Sequence, residues 1–359
     1  MTILVTGAAG FIGFHTIRRL LGRGEDVVGI DNLNDYYPVQ LKLDRLGELR
    51  DIATGSFTFV RADFTDPAAL QQSLRGHEVR RIVHLGAQAG VRYSLQNPHA
   101  YAMSNVVGHL NILEYARHVG AEHLVYASSS SVYGGNERLP FCVEDRTDHP
   151  VSLYAATKKA DELFSESYAH LFRLPQTGLR FFTVYGPWGR PDMAPWLFTK
   201  AVLEGRPIDV NGEGHMRRDF TYVDDIVHGI LAALDRPPAD DGAGKPGGSK
   251  SPHAVYNLGN NKSVELGHFI ATIETACGRR ALRNLKPMQQ GDVRDTYADI
   301  SDARRDLDYC PATSIEEGIP AFVAWFRDYH GYGEGQASHG IGPMPPRRAG
   351  SSMVRQAQA

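Results

Sequence analysis

Cysteine is scarce in this chain of 359 residues: Cys142, Cys277 and Cys310 are scattered, with neither metal-ligand spacing nor an obvious pairing scheme. That argues against a disulfide scaffold and a Cys-ligated metal centre, and a reducing cytoplasm is the expected compartment. Long apolar runs are missing as well. No uninterrupted segment approaches the roughly 18 to 20 residues that span a bilayer, so no membrane partner is expected. Met1-Thr2 leads straight into a strand-like run, leaving no charged leader, and no signal peptide is expected. Charge of one sign is not in excess: 38 Lys and Arg against 41 Asp and Glu give a formal −3, which supplies no reason to bind nucleic acid. No internal repeat is visible and no metal site is expected.

What is present is the composition of a soluble globular enzyme, 42% hydrophobic and 22% charged. The length suits two domains, or a large α/β domain with an added lobe. Strand-like runs at 2–6, 26–30, 57–61, 80–85, 121–127 and 177–182 alternate with amphipathic helical stretches at 11–22, 97–119 and 152–172. This is the pattern of a parallel sheet covered on both faces. Residues 237–252, rich in Gly, Pro, Asp, Lys and Ser, read as an exposed, flexible loop. From about 335 to 359 the chain loses its apolar pattern and a disordered tail is expected.

Thr6-Gly7-Ala8-Ala9-Gly10-Phe11-Ile12-Gly13 follows the apolar run Ile3-Leu4-Val5. Three glycines spaced three apart, between strand and helix, let the backbone turn tightly, approach a pyrophosphate and aim helix amides at it. A glycine turn joining strand to helix would look alike, but two neighbours favour a dinucleotide. The second strand ends at Asp31, placed to accept from an adenosine ribose, and its carboxylate would repel a 2′-phosphate, which favours NAD over NADP. Asp63 and the run Leu85-Gly86-Ala87 close the next strands and face the same ligand.

Tyr154 and Lys158 stand four apart near the start of a helix and project from one face. An ammonium and a cationic nicotinamide favour the phenolate, which converts a tyrosine into a proton shuttle. Tyr-x-x-x-Lys also occurs by chance in many helices. Here the helix follows the fifth strand, whose end carries Ser128-Ser129-Ser130-Ser131-Val132-Tyr133-Gly134 and offers a hydroxyl to the substrate oxygen.

Together the glycine loop, Asp31, Asp63, the serine run with Val132-Tyr133-Gly134, and Tyr154 with Lys158 resemble the extended short-chain dehydrogenase/reductases over nearly all of residues 1 to 330. The resemblance implies an α/β fold with a Rossmann-type doubly wound parallel sheet and a smaller C-terminal α/β substrate-binding lobe. The NAD-binding domain would cover 1–183, with a return near 220–260, and the nucleotide-sugar lobe 184–219 and 261–332. A homodimer through helices 97–119 and 152–172 is implied too. Ser129 would be the catalytic hydroxyl, Tyr154 the base and Lys158 its electrostatic partner. The cofactor set would be Gly7, Gly10, Phe11, Ile12, Gly13, Asp31, Asn32, Asp63, Phe64, Leu85, Ala87, Asn105, Tyr154 and Lys158. Asn105 is implied as the structural Asn near the central helix, a helix cap being the alternative.

Sugar 4,6-dehydratases of this family carry Thr-Asp-Glu at the positions of Ser129-Ser130-Ser131, and uronate decarboxylases usually keep Glu at the last. A serine cannot replace a carboxylate in proton abstraction, which points to plain epimerisation at C4. The segments Asp31–Tyr37, Gln88–Tyr93, Arg180–Met193 and Met216–Tyr222 are similar to those of UDP-glucuronate 4-epimerases. The expected reaction interconverts UDP-glucuronate and UDP-galacturonate through a 4-keto intermediate. Arg190 would pair with the sugar carboxylate or, alternatively, lie in a surface ion pair. Ser130, Ser131 and Thr183 would hydrogen-bond the sugar. Arg218 and Arg294 match positions that hold the uridine ribose and diphosphate, with a surface-charge role open for Arg294. Thr296 stands where hexose-only epimerases have an aromatic residue, leaving room for an N-acetyl group. Another UDP-hexose or UDP-N-acetylhexosamine 4-epimerase is the nearest rival, and a non-catalytic NAD-binding regulator is the rival of another class. His109 is expected as a half-buried helix histidine, His84 as a strand histidine, and His149 and His215 as loop residues.

Overall fold

In the computed structural model the described residues are 2–52, 54–289 and 291–333, so the tail expected from about 335 lies outside them. The chain begins as alternating strands and helices: β1 (Thr2–Thr6), α1 (Phe11–Gly22), β2 (Asp26–Asp31), α2 (Val39–Arg50), β3 (Ser56–Arg61), α3 (Pro67–Ser73) and β4 (Val79–His84). The short helices α4 (Tyr93–Gln96) and α5 (Pro98–Tyr101) follow, then a π-wound segment Ala102–Val107, α6 (Gly108–Val119), β5 (His123–Ser129), α7 (Leu153–Phe172) and β6 (Gln176–Phe181). Alternation along β1 explains the layering. Ile3 and Val5 pack with Leu20 and Ile230 on one face, whereas Leu4 packs with Ile112 and Leu113 on the other. A strand buried on both faces must read as a continuous apolar run, and β1 does.

The helix expected over 97–119 is not one regular helix. Asn97 caps α5 through the Ala100 amide, Pro98 opens it, and the backbone then widens over Ala102–Val107 before α6 resumes. The widened turn buries Asn105 while Met103 and Val107 stay exposed. Wide turns of this kind recur at functional sites, and this one lies beside the cofactor cleft.

The rest of the chain builds β7 (Thr183–Tyr185), α8 (Ala194–Glu204), β8 (Pro207–Val210), β9 (Arg217–Tyr222), α9 (Val223–Leu234), β10 (His253–Leu258), β11 (Ser263–Glu265), α10 (Leu266–Cys277), β12 (Leu282–Leu285), α11 (Ser301–Leu307) and α12 (Ile315–His330). β10 returns to the central sheet, whose order is β10-β6-β5-β4-β1-β2-β3 with every neighbouring pair parallel. The order reverses between β1 and β4, and ligands of open α/β sheets bind outside the strand ends at such a point. A separate core forms where α8, α10 and α12 pack together, with Phe220 stacked on Phe269 at 4.1 Å between ring centroids. β9 pairs with β7 and β11, and β8 with β12.

Residues 237–252 form no helix or strand, yet their C-terminal part is pinned rather than loose. Ser249 and Ser251 are buried, Ser249 Oγ donates to Glu166 on α7, and the Val255 amide donates to the Pro246 carbonyl. Loop composition does not reveal that β10 must enter the sheet directly behind it.

Candidate active site

At the carboxyl end of β1 the backbone turns through Gly7, whose φ of 69° lies in the left-handed region. A Cβ there would stand 2.8 Å from the Gly86 nitrogen, and one at Gly13 would stand 2.1 Å from the Gly7 carbonyl oxygen. Only hydrogen fits at either place, so the turn presses on α1 and on the residues after β4. Thr6 Oγ1 meets His84 Nδ1 at 2.7 Å and accepts from the Gly86 amide at 3.0 Å, tying the ends of β1 and β4 together. Asp31 is buried and accepts from the amides of Ala9 (3.2 Å) and Leu33 (2.8 Å). Each oxygen keeps a lone pair for a ribose hydroxyl.

This cleft is lined by Gly7, Gly10, Phe11, Ile12, Gly13, Asp31, Asn32, Phe64, Leu85, Ala87, Tyr154 and Lys158. Two residues of the expected cofactor set are not in its wall. Asp63 spends its carboxylate on Asn32 Nδ2 and on the amide and hydroxyl of Thr65; these bonds hold it below the usual carboxylate range although burial opposes them. It orients Asn32, which does line the cleft. Asn105 stands one layer back and caps no helix. It accepts from the Gln88 amide and donates to the Gln88 carbonyl and Thr157 Oγ1, joining the loop after β4 to α7.

Two cations escaped the sequence reading. Lys42 and Arg45 sit on the buried face of α2 with Leu41, Leu46 and Leu49. Lys42 lines the cleft 4.0 Å from Asp31 and donates to Asn34. Arg45 is fully buried and donates to Ala9 O (2.8 Å), Tyr37 OH (2.8 Å) and Trp188 O (2.6 Å), bridging the glycine loop to the loop after β7. The available signal was two cations at three-residue spacing inside an apolar stripe.

Ser152 caps α7 by accepting from the Ala155 amide, which starts the helix so that Tyr154 and Lys158 face the end of β5. Lys158 is buried and donates to the Ala127 carbonyl at 2.9 Å and to Asp161 Oδ2 at 3.0 Å. Ser129 Oγ accepts from the Ser131 amide at 3.1 Å. Behind them Glu162 takes a two-pronged bond from Arg180 (2.8 and 2.9 Å) and one from Ser128 Oγ (2.7 Å). Burial opposes ionisation of this carboxyl, but the Arg180 guanidinium outweighs it and holds the group down at about 2. The pair locks α7 to β5 and β6.

Across Tyr154 and Ser129 the cleft continues into a second cavity lined by Ser130, Ser131, Thr183, Arg190, Arg218 and Thr296. Arg190 borders both spaces and grips Asp192 with Nε at 3.0 Å and Nη2 at 2.5 Å, while Tyr36 OH donates to the same carboxylate. Arg190 is thus ion-paired, as the alternative had it, and at the same time lines both spaces. Arg218 stretches over the backbone and donates to the carbonyls of Arg217, Val293 and Arg294.

Arg294 departs from the ligand-holding expectation and takes the surface position left open for it. Its carbonyl turns inward to accept from the Arg217 amide and Arg218 Nη1, and its side chain, 75% exposed, lies instead beside Gly212, His215 and Met288. His109 is a second departure: it is completely buried, with Nε2 at 2.9 Å from Ser165 Oγ. His84 is buried on its strand, and His149 and His215 lie in loops.

Known proteins resemble this chain in sequence and in fold. The model of the NAD dependent epimerase/dehydratase family matches residues 3–259. Protein CapI of Staphylococcus aureus is 49% identical over 335 residues, 92% of this chain and 99% of its own length. A probable UDP-glucuronate 4-epimerase of Rhizobium meliloti is 48% identical over 91% of this chain and 97% of its own. The crystal structure of UDP-glucuronic acid 4-epimerase from Bacillus cereus, in complex with UDP-glucuronic acid and NAD, superposes with a TM-score of 0.79 at 33% identity, covering 92% of this chain and all of that one. With a family model over most of its length and relatives nearly half identical along almost the whole of it, this chain belongs to the NAD dependent epimerase/dehydratase family.

Proposed function

We propose that this protein is a UDP-glucuronate 4-epimerase that interconverts UDP-glucuronate and UDP-galacturonate with bound NAD. The observation that carries the reading is the junction of the two cavities, where Tyr154 and Ser129 belong to both walls and the next positions, Ser130 and Ser131, offer hydroxyls and no carboxylate. NAD held in the cleft would supply reversible hydride acceptance at sugar C4, the chemistry by which that centre can be inverted through a 4-keto sugar. Tyr154 as phenolate takes the O4 proton while the C4 carbonyl forms, and gives it back on reduction. Ser129 hydrogen-bonds the same oxygen, and the Lys158 ammonium favours the phenolate. The glycine turn, Asp31 and Asn32 hold the dinucleotide. The pyrophosphate would meet the amides that open α1. Arg190 takes the sugar carboxylate in exchange for Asp192, with Ser130, Ser131 and Thr183 as further donors and Arg218 towards the uridine diphosphate. The Bacillus cereus relative, solved with UDP-glucuronic acid and NAD, supports this pair of ligands.

The proposed architecture is an NAD-binding domain over 1–183, rejoined near 220–260, and a nucleotide-sugar lobe from 184–219 and 261–332. A homodimer is part of the same proposal. Met103, Val107 and Leu110 recur at i, i+4 and i+7 and are exposed, as are Leu163, Leu171 and Phe172 on the neighbouring α7; a second copy would cover them. A cytoplasmic location fits Cys142, Cys277 and Cys310, all of which are free. Among the described residues no helix is long and apolar enough to cross a membrane.

Proton NMR of a reaction started with UDP-glucuronate tests the assignment. UDP-galacturonate is the expected product, and a UDP-pentose would move the chain to the decarboxylases. A panel including UDP-glucose and UDP-N-acetylglucosamine tests the rival epimerases, since a preference for a neutral sugar would overturn the uronate reading. Bound NAD without turnover of any sugar would favour a regulatory protein.

A further inference from the structure

Lys158 is held from behind by a residue that the mechanism above does not use. Asp161, one turn further along α7, is buried and places Oδ2 at 3.0 Å from the Lys158 ammonium. Its other oxygen, Oδ1, is buried with no hydrogen-bond partner among the described residues. A buried carboxylate with a single partner is a poor stabilising device, because desolvation of both ions offsets much of their attraction. The buried Lys158 ammonium is the one hydrogen-bond partner of this carboxylate side chain among the described residues, so the charge of Asp161 acts on Lys158.

The surroundings make the pair electrically conspicuous. From β4, His84 lies against α6, where its ring is 5.3 Å from that of His109, and His109 packs on Tyr126 of β5 and on the backbone of Asp161. Burial keeps His84 and His109 neutral near pH 7, and Tyr126 stays a phenol that shares its hydroxyl with His253 of β10. Glu162 on α7 is committed to Arg180 of β6, to Ser128 and to Lys159. The ammonium therefore faces Tyr154 and the cofactor cleft on one side and Asp161 on the other. Of its three donors, one goes to the Ala127 carbonyl and one to Asp161, which leaves one for the cleft.

We propose that Asp161 is a positioning residue that anchors the Lys158 ammonium and tempers the positive charge it presents to Tyr154, setting the pH range in which Tyr154 becomes phenolate. The proposal rests on the epimerase reading only in taking Tyr154 as the group that exchanges the proton. The sign follows from Coulomb's law. An ionised Asp161 cancels much of the field that favours the phenolate, and a neutral residue in its place restores it.

The test uses the full chain loaded with NAD, in the wild-type and Asp161→Asn forms. The amide keeps the shape and the bond from Lys158 but not the charge. Tyrosinate absorbance, taken as the difference from the matching Tyr154→Phe protein, is followed against pH with no sugar present. In Asp161→Asn the phenolate should be about tenfold more populated at a given pH along the rising part of the curve, and the acidic limb of turnover should move to lower pH by the same factor. Asp161→Ser, which removes the charge with a smaller side chain, should behave alike and serves if the amide does not fold. An unmoved phenolate curve in a folded, NAD-bound variant, with only the melting temperature lowered, would make Asp161 structural and overturn the proposal. A moved curve in a protein that turns over no UDP sugar would uphold Asp161 and defeat the epimerase reading.

Discussion

The dinucleotide cleft and the sugar cavity meet at Tyr154 and Ser129 but are built differently. The first is made largely of strand ends in one sheet: Gly7 after β1, Asp31 at the end of β2, Leu85 after β4 and Ser129 at the end of β5. Its polar groups are buried and already bonded to neighbouring backbone, as Asp31 is to Ala9 and Leu33. The second draws on Ser131, Thr183, Arg190, Arg218 and Thr296, which lie on separate loops and lobe strands, and its cations are engaged by internal partners. A cofactor that stays bound can be met by a preformed surface. Under the proposed function, a substrate that must enter, turn over and leave would be met by charges that exchange Asp192 or backbone carbonyls for it.

Replacing Tyr154 by Phe strikes the shared wall and should have the largest effect. Turnover is expected to fall by about 10² to 10⁴-fold while NAD stays bound, because general acid–base transfer is lost and little else changes. A variant within threefold of wild type in a kcat assay would break the idea that the two cavities work through this one phenol.

Arg190→Ala touches the sugar side. The kcat/KM for UDP-glucuronate should drop by about tenfold to 150-fold, the equivalent of a charge-assisted hydrogen bond of roughly 1.5 to 3 kcal/mol, with a smaller drop for any residual turnover of UDP-glucose. Equal losses for both sugars would show that Arg190 supports the loop rather than the carboxylate. Asp31→Asn touches only the dinucleotide side. It should raise binding of NADP relative to NAD by about tenfold, roughly 1.4 kcal/mol, as measured by titration of cofactor-free protein. An unchanged ratio would mean that Lys42, 4.0 Å away, already neutralises the carboxylate.

The smallest expected effect concerns stability in acid. Burial lowers His84 to about 3 and His15 and His123 to about 4. Each takes up a proton near 6.5 when unfolded, so the unfolded chain binds more protons below that pH and stability falls as pH drops from about 6.5 towards 4. Asp161, raised to about 7, and Asp219, raised to about 6, both by burial, act in the opposite sense below those values, two groups against five once His109 and His330, which burial also lowers, are included. The melting temperature should fall by roughly five degrees between pH 7 and 5, and His123→Gln should flatten the slope. A profile that stays level over this range would show that the buried histidines find protons or water the fold does not reveal.

The sequence by itself determined the features that depend on neighbours in the chain. Ile3-Leu4-Val5 had to be a strand buried on both faces, Gly7 and Gly13 had to allow close approach, and Tyr154 and Lys158 had to share a helix face, because period and sterics act over a few residues. The serines at 130 and 131 likewise carry their meaning in their side chains. Only the tertiary structure decided the long-range pairings. It showed that Asp63 and Asn105 stand behind the cleft wall, that Arg294 turns outward, and that Arg190 is held by Asp192. It also assigned Lys42 and Arg45 to the cofactor loop and Asp161 to Lys158. Side-chain type reveals what a group can bond, but its actual partner depends on which distant backbone the fold brings within about 3 Å, and no local pattern records that distance.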